Sequence, residues 1–217
     1  MRSQFVWKAD IHVFPPTVSN RPQAALQTIA TRCGDRLYSK TAMTEKLEIR
    51  DSVSADFGAI ELLYSDAFPD EDLLPLVRVL LPDTTVATSI VGEIDSRIVG
   101  HVIFTKCGVT GERANAALLG PLAVTPARQG QGIGSALVRA GLRQLKDKDV
   151  HFVCVLGDPA FYGRLGFLPE SSIRPPFRLP AEYDGAWQSQ NLCDMGAAYS
   201  GELSVPKPWR QPSLWIP

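Results

Sequence analysis

The residues of this chain best suited to chemistry lie in one short run, Pro126-Ala127-Arg128-Gln129-Gly130-Gln131-Gly132-Ile133-Gly134-Ser135. Three glycines on alternate positions let a backbone approach a ligand with no Cβ in the way. Helical apolar periodicity begins directly after them, so they open a helix whose first N–H groups lack intrahelical acceptors. Those groups point out of the positive end of the helix dipole, which favours a phosphate or diphosphate. Ser135 adds a hydroxyl donor at the same mouth. The turn is no Walker A loop, because no Lys-Ser/Thr follows the glycines. Its G-x-G-x-G spacing also differs from the G-x-G-x-x-G of dinucleotide folds. A purely structural turn is the alternative for glycines taken in isolation.

Such a turn works only if its neighbours hold it, and their patterns are legible. Residues 133–146 read as a helix with Ser135, Arg139, Arg143 and Lys146 on a narrow polar stripe and a wide apolar arc elsewhere. The runs AALLGPLAV at 116–124 and HFVCVLG at 151–157 read as buried parallel strands, closing one βαβ unit around the helix. Proline cannot donate to a ladder, so Gly120-Pro121 marks a bulge at which the first strand splays from the second. Upstream, SIVGEIDSRIVGHVIF reads as a hairpin turning at Asp95-Ser96. Leu47 and Ile49 alternate with charges as in a strand; Ser54 then caps a helical stripe of Phe57, Ile60, Leu63 and Tyr64. Residues 71–81 read as a second short helix with Pro75 in its first turn.

Two motifs on these elements carry a family resemblance. Gln129-x-x-Gly132-x-Gly134 resembles the Q/R-x-x-G-x-G/A diphosphate loop of the GNAT acetyltransferases. Leu122-Ala123-Val124 resembles that family's central strand, and Phe161-Tyr162-Gly163-Arg164-Leu165-Gly166-Phe167 its F-Y-x-x-x-G-F segment. The fuller run from Leu156 to Arg164 looks like the bacterial subgroup called YhbS-like. The resemblance covers roughly residues 46–170. It implies an α/β fold with a mixed, centrally splayed sheet flanked by helices, and an enzyme that moves an acetyl group from acetyl-CoA to an amine in a ternary complex, with no metal. The bound cosubstrate would touch Leu122, Ala123, Val124, Gln129, Gly130, Gln131, Gly132, Ile133, Gly134 and Ser135.

Within that expectation Tyr162 is the candidate catalytic acid, since a phenol of pKa about 10 can protonate a thiolate whose acid titrates at about 8.5. The plain alternative is a tyrosine packed between Phe161 and Phe167. The central strand carries no Asp or Glu to serve as base; Glu93, His101, Asp70, Glu71 and Asp72 are the nearest candidates, and each also reads as an ordinary surface or strand residue. This missing carboxylate favours the rival reading, a CoA-binding sensor without turnover. A nucleotide-binding module is a second rival. Asp158 reads as the cap of a short helix, and Arg164 as a helix-surface residue. Trp187, Trp209 and Trp215 read as sheet packing or a contact between two copies of the chain.

Bulk properties exclude several classes. The chain has 217 residues, enough for one domain with a full core. Its 22 basic and 23 acidic residues give no global attraction for nucleic acid or anionic lipid. Mean hydropathy near zero argues against a membrane-embedded chain. Cys33, Cys107, Cys154 and Cys193 form no CxxC pair, so neither zinc nor a disulfide framework is expected. The first twenty residues lack a continuous apolar run of signal type, which points to the cytoplasm. Composition changes near Met43, dividing the chain into an extension (1–42) expected to be dispensable for catalysis, a core (43–170) and C-terminal strands (171–217). The expected partner is a small-molecule or peptide amine.

Overall fold

The computed structural model describes residues 46–183, 185–193 and 199–215. Residues 1–42, the boundary at Met43 and Cys33 lie outside them. Each periodic run becomes the element its spacing dictates. The strands are β1 (Glu48–Asp51), β2 (Ala87–Ile94), β3 (Arg97–Val109), β4 (Ala116–Val124), β5 (Phe152–Leu156), β6 (Leu168–Pro169), β7 (Ile173–Arg174), β8 (Trp187–Asn191) and β9 (Gly201–Ser204). The helices are α1 (Phe57–Ala67), α2 (Leu74–Leu80), α3 (Ile133–Lys146) and α4 (Pro159–Tyr162).

The strands run β1-β2-β3-β4-β5-β8-β6, and β9 joins β3 to β7 at one end. The sheet is mixed: β4 and β5 are parallel, as a βαβ crossover requires, whereas β1 to β4 form an antiparallel meander. Asp95 and Ser96 turn the β2–β3 hairpin with φ of +49° and +60°, the backbone that a two-residue type I′ turn demands. One sheet face carries α1, α2 and the C-terminal tryptophans; the other carries α3 with Tyr162 and Phe167. Ile103 packs into the first core and its neighbours Val102 and Phe104 into the second, the alternation expected of a strand buried on both sides.

The cap of α1 differs from expectation. A 3-10 turn, Ser54–Asp56, precedes the helix, and Ser54 caps nothing. Asp56 closes the turn instead, accepting from the Val53 N–H at 2.8 Å and from both Arg50 Nη atoms at 2.7 and 3.0 Å. A charged acceptor satisfies more donors than a hydroxyl can, which is why the carboxylate takes the corner. In α2, Pro75 sits in the first turn, where its missing N–H costs no hydrogen bond.

The expected splay is present. β4 and β5 pair only at Ala116–Phe152, Ala117–Val153 and Leu118–Cys154. Beyond them β4 keeps its partner β3, with a register shift that sets Gly120 and Pro121 opposite the single residue Ile103. The Gly120–Pro121 peptide is cis. Along its far side β5 is held by β8 over its full length, Phe152 to Leu156. Trp187, Trp209 and Trp215 are buried, with Trp215 in edge-on contact with each of the other two, so they are packing residues.

Candidate active site

The parted strands open onto the first turn of α3. Gly130 and Gly132 hold φ of +71° and +83°, the left-handed region where any Cβ is strained. A Cβ on either would meet no protein atom within 4 Å, so the space before them is open. Gly134 has an ordinary helical φ, and a Cβ there would touch Phe161, Val124 and Leu122 at 3.6–3.7 Å, contacts that an alanine tolerates. The N–H groups of residues 130–135 have no acceptor among the described residues. Unpartnered donors gathered at a helix start suit an anion. Gln129 stiffens the turn from below, its Nε2 donating to Val124 O at 3.2 Å.

A cavity of about 360 Å³ occupies this mouth. Leu122, Val124, Gln129, Gly130, Gly132, Ile133, Gly134 and Ser135 line it, which is eight of the ten expected cosubstrate contacts. Ala123 and Gln131 are off its wall. The Thr125 N–H bonds to Val99 O on β3, so strand alternation turns Ala123 the same way and presents Leu122 and Val124 to the gap. The Gln131 side chain folds back to Ala127 O at 3.3 Å. Arg128, Arg139 and Arg164 add positive charge at the rim, and no carboxylate is on the wall. Arg164 is an exposed residue of a 3-10 turn, as its surface reading expects, and it also reaches this rim.

Tyr162 lies behind the wall. Asp158 starts its helix, accepting from the Ala160 and Phe161 N–H groups at 2.9 and 3.1 Å, with Pro159 following. The ring is buried edge-on between Phe161 and Phe167 and lies so tightly on Gly157 that any Cβ there would collide with it. Burial, with a smaller push from the Asp158 charge, raises the Tyr162 hydroxyl above its usual range and keeps it protonated.

The candidate bases separate by place. Asp70, Glu71 and Asp72 line a second cavity, also about 360 Å³, between α1 and α2, with Tyr64 and Phe68 as its inner wall. Glu93 accepts from Arg50 Nε at 2.9 Å and is off the wall of both cavities. His101 is wholly buried and lines neither of these two cavities. It is held in a chain that sequence reasoning did not assemble. Tyr64 Oη donates to Pro121 O at 3.0 Å and lies 3.0 Å from His101 Nδ1. His101 Nε2 lies 2.8 Å from Ser89 Oγ, which lies 2.6 Å from Ser52 Oγ. Burial pulls the His101 pKa down to about 3, so it is neutral, although the Asp56 charge works the other way. The available signal was a histidine inside the apolar run RIVGHVIF: a buried imidazole demands partners, and a Tyr within an apolar stripe can supply one.

Cys154 is buried and Cys107 partly so, and burial pushes the Cys107 thiol up to about 12 and that of Cys154 upward as well. Neither is a thiolate nucleophile at neutral pH. Among the described residues no helix is long and apolar enough to cross a membrane.

Comparison with known proteins places these features. Residues 57–167 match the family model described as acetyltransferase (GNAT) family. YjhQ of Escherichia coli K12, an uncharacterized N-acetyltransferase, is 30% identical over 161 residues, spanning 71% of this chain and 89% of the relative. YhbS of the same strain, also an uncharacterized N-acetyltransferase, is 33% identical over 147 residues, spanning 67% and 87%. The crystal structure of Escherichia coli YhbS in complex with CoA superposes with a TM-score of 0.68 at 28% identity, covering 77% of this chain and 94% of that one. A GNAT acetyltransferase from Brucella melitensis in complex with acetyl-CoA gives 0.61 at 26% identity, covering 76% and 98%.

Proposed function

The chain belongs to the GNAT acetyltransferase family, and from that premise we propose that it transfers the acetyl group of acetyl-CoA to a primary amine by direct attack in a ternary complex. One observation carries the reading: β4 and β5 part beyond Leu118 and Cys154 directly onto a helix mouth of six unpartnered amides. The amides of residues 130–135 hold the diphosphate, and the rim arginines Arg128, Arg139 and Arg164 neutralise it. The gap side of β4 pairs with the pantetheine amides as a missing strand would. The Leu122 or Val124 N–H faces the thioester oxygen, where charge develops during attack.

Attack needs a neutral amine, and the second cavity beside Tyr64 is where the acceptor enters. Tyr162 keeps its proton at neutral pH and, although its ring packs behind the cavity wall, is the residue assigned to give a proton to the departing thiolate. Cys107 and Cys154, held as thiols, offer no sulfur for an acyl-enzyme.

The test is acetyl-CoA with a panel of small alkylamines, aminosugars and lysine-bearing peptides, followed by release of free thiol. Thiol release that depends on one class of amine supports the proposal. The absence of any carboxylate from the cavity wall favours a second reading, a CoA-binding protein without turnover. Tight CoA binding by calorimetry with no thiol release from any amine would establish that reading instead.

A further inference from the structure

Resting on the reading of this chain as an amine acetyltransferase, we propose that Tyr64 takes the proton from the bound acceptor ammonium and passes it to solvent through His101, Ser89 and Ser52. Tyr64 is placed for both ends of that task. Its ring lines the acceptor-side cavity, and its hydroxyl reaches the Pro121 carbonyl in the β4 bulge, one residue before Leu122 on the wall of the first cavity. Ser52, at the other end, is half-buried beside β1, where water reaches it.

Every link in the chain can both donate and accept. Tyr64 has one proton and two acceptors within 3.0 Å, Pro121 O and His101 Nδ1. When it points at Pro121, His101 donates from Nδ1 and the chain runs inward. When it points at His101, the imidazole carries its proton on Nε2, donates to Ser89, and the chain runs outward. In the outward orientation the ammonium N–H bond breaks as an O–H bond forms on Tyr64. The Tyr64 proton passes to Nδ1, the Nε2 proton to Ser89, the Ser89 proton to Ser52, and that of Ser52 to water. One proton leaves the amine, one reaches solvent, and no residue changes charge.

The surroundings suit a neutral relay. Asp56, Arg50 and Glu93 face its outer end and are committed to one another in ion pairs. On the inner side Tyr162 raises the Tyr64 pKa further beyond what burial does, and the acidic groups Asp70, Glu71 and Asp72 face the same cavity as its ring. A buried imidazole that resists protonation cannot store the proton, but it can exchange one nitrogen's proton for the other's.

At neutral pH only about one in a few thousand alkylamine molecules is uncharged, so a lost relay must show most strongly there. The experiment measures kcat/KM for the best amine of the panel from pH 7 to 9.5 in the wild type, Tyr64→Phe and Ser89→Ala. Ser89→Ala interrupts the chain without touching the tyrosine, so it serves if the Phe variant misfolds. The expected result is a loss of about tenfold or more at pH 7 that shrinks to about threefold or less at pH 9.5, where free amine is abundant, with KM for acetyl-CoA unchanged. A loss equal at every pH, or none, in a folded variant overturns the relay and leaves acetyl transfer standing. Wild-type protein that binds CoA yet releases no thiol removes the acetyltransferase reading, and the relay with it.

Discussion

Gly132 shows how much a single residue carries. Its φ of +83° costs an alanine about 1–2 kcal/mol, and the new methyl would project into the space assigned to the diphosphate. Gly132→Ala should weaken CoA binding about tenfold or more by calorimetry while circular dichroism stays unchanged; unaltered affinity would count against that assignment. Tyr162→Phe should lower kcat by about 10–100-fold and leave the CoA dissociation constant where it was. His101 sets a stability signature. Its folded pKa, about 3, lies below the unfolded value of about 6.5, so the unfolded chain binds the extra proton between those limits. The contribution is complete above pH 6.5 and declines as pH falls toward 3, by up to about 1.4 kcal/mol per unit. The Asp56 carboxylate, lowered by its Arg50 hydrogen bonds, adds loss only in the acid range below the usual carboxylate pKa. Urea midpoints should therefore drop between pH 6.5 and 4.5, and His101→Asn should flatten that slope. The glycine turn and the Phe161–Phe167 segment were legible in the sequence because motifs are local. The Tyr64–His101 pair was not, because its members are 37 residues apart and meet only once α1 lies on β3.

At the scale of elements, α3 must lie close against the sheet for its mouth to meet the gap, and Gly141 permits this. A Cβ at Gly141 would run into the Phe104 ring on β3. Helix propensity alone predicts that Gly141→Ala stabilises by about 1 kcal/mol. Overpacking a tight core costs about 1–3 kcal/mol, so packing wins and the melting temperature should fall. An increase would mean that Phe104 has room to move aside. The βαβ unit was readable from periodicity, since β4 and β5 are apolar throughout and α3 carries one polar stripe. The insertion of β8 between β5 and β6 was not, because short polar strands such as WQSQN have no pattern that names a partner.

Across the whole molecule, the family match ends at residue 167, but the core does not. Trp187, Trp209 and Trp215 are each at most 5% exposed, and β8 covers the entire free side of β5. A chain ending at Glu170 should be insoluble or lack a cooperative melting transition. A chain beginning at Met43 should fold and turn over at the full-length rate, since strand β1 starts at Glu48 and the compositional break precedes it. Loss of turnover in that shortened form would give the first 42 residues a role that composition does not suggest.

The brief pairing of β4 with β5 has a practical consequence. Past Leu118 the central strand carries an interior selvage with no strand beside it on that side among the described residues, where Val124 O is met by a side chain, Gln129 Nε2. Whenever cosubstrate dissociates, that selvage is open to any extended peptide, including one from another copy. Preparations kept with CoA should therefore stay monodisperse for longer on standing than those stripped of it, and light scattering over days would reveal the difference.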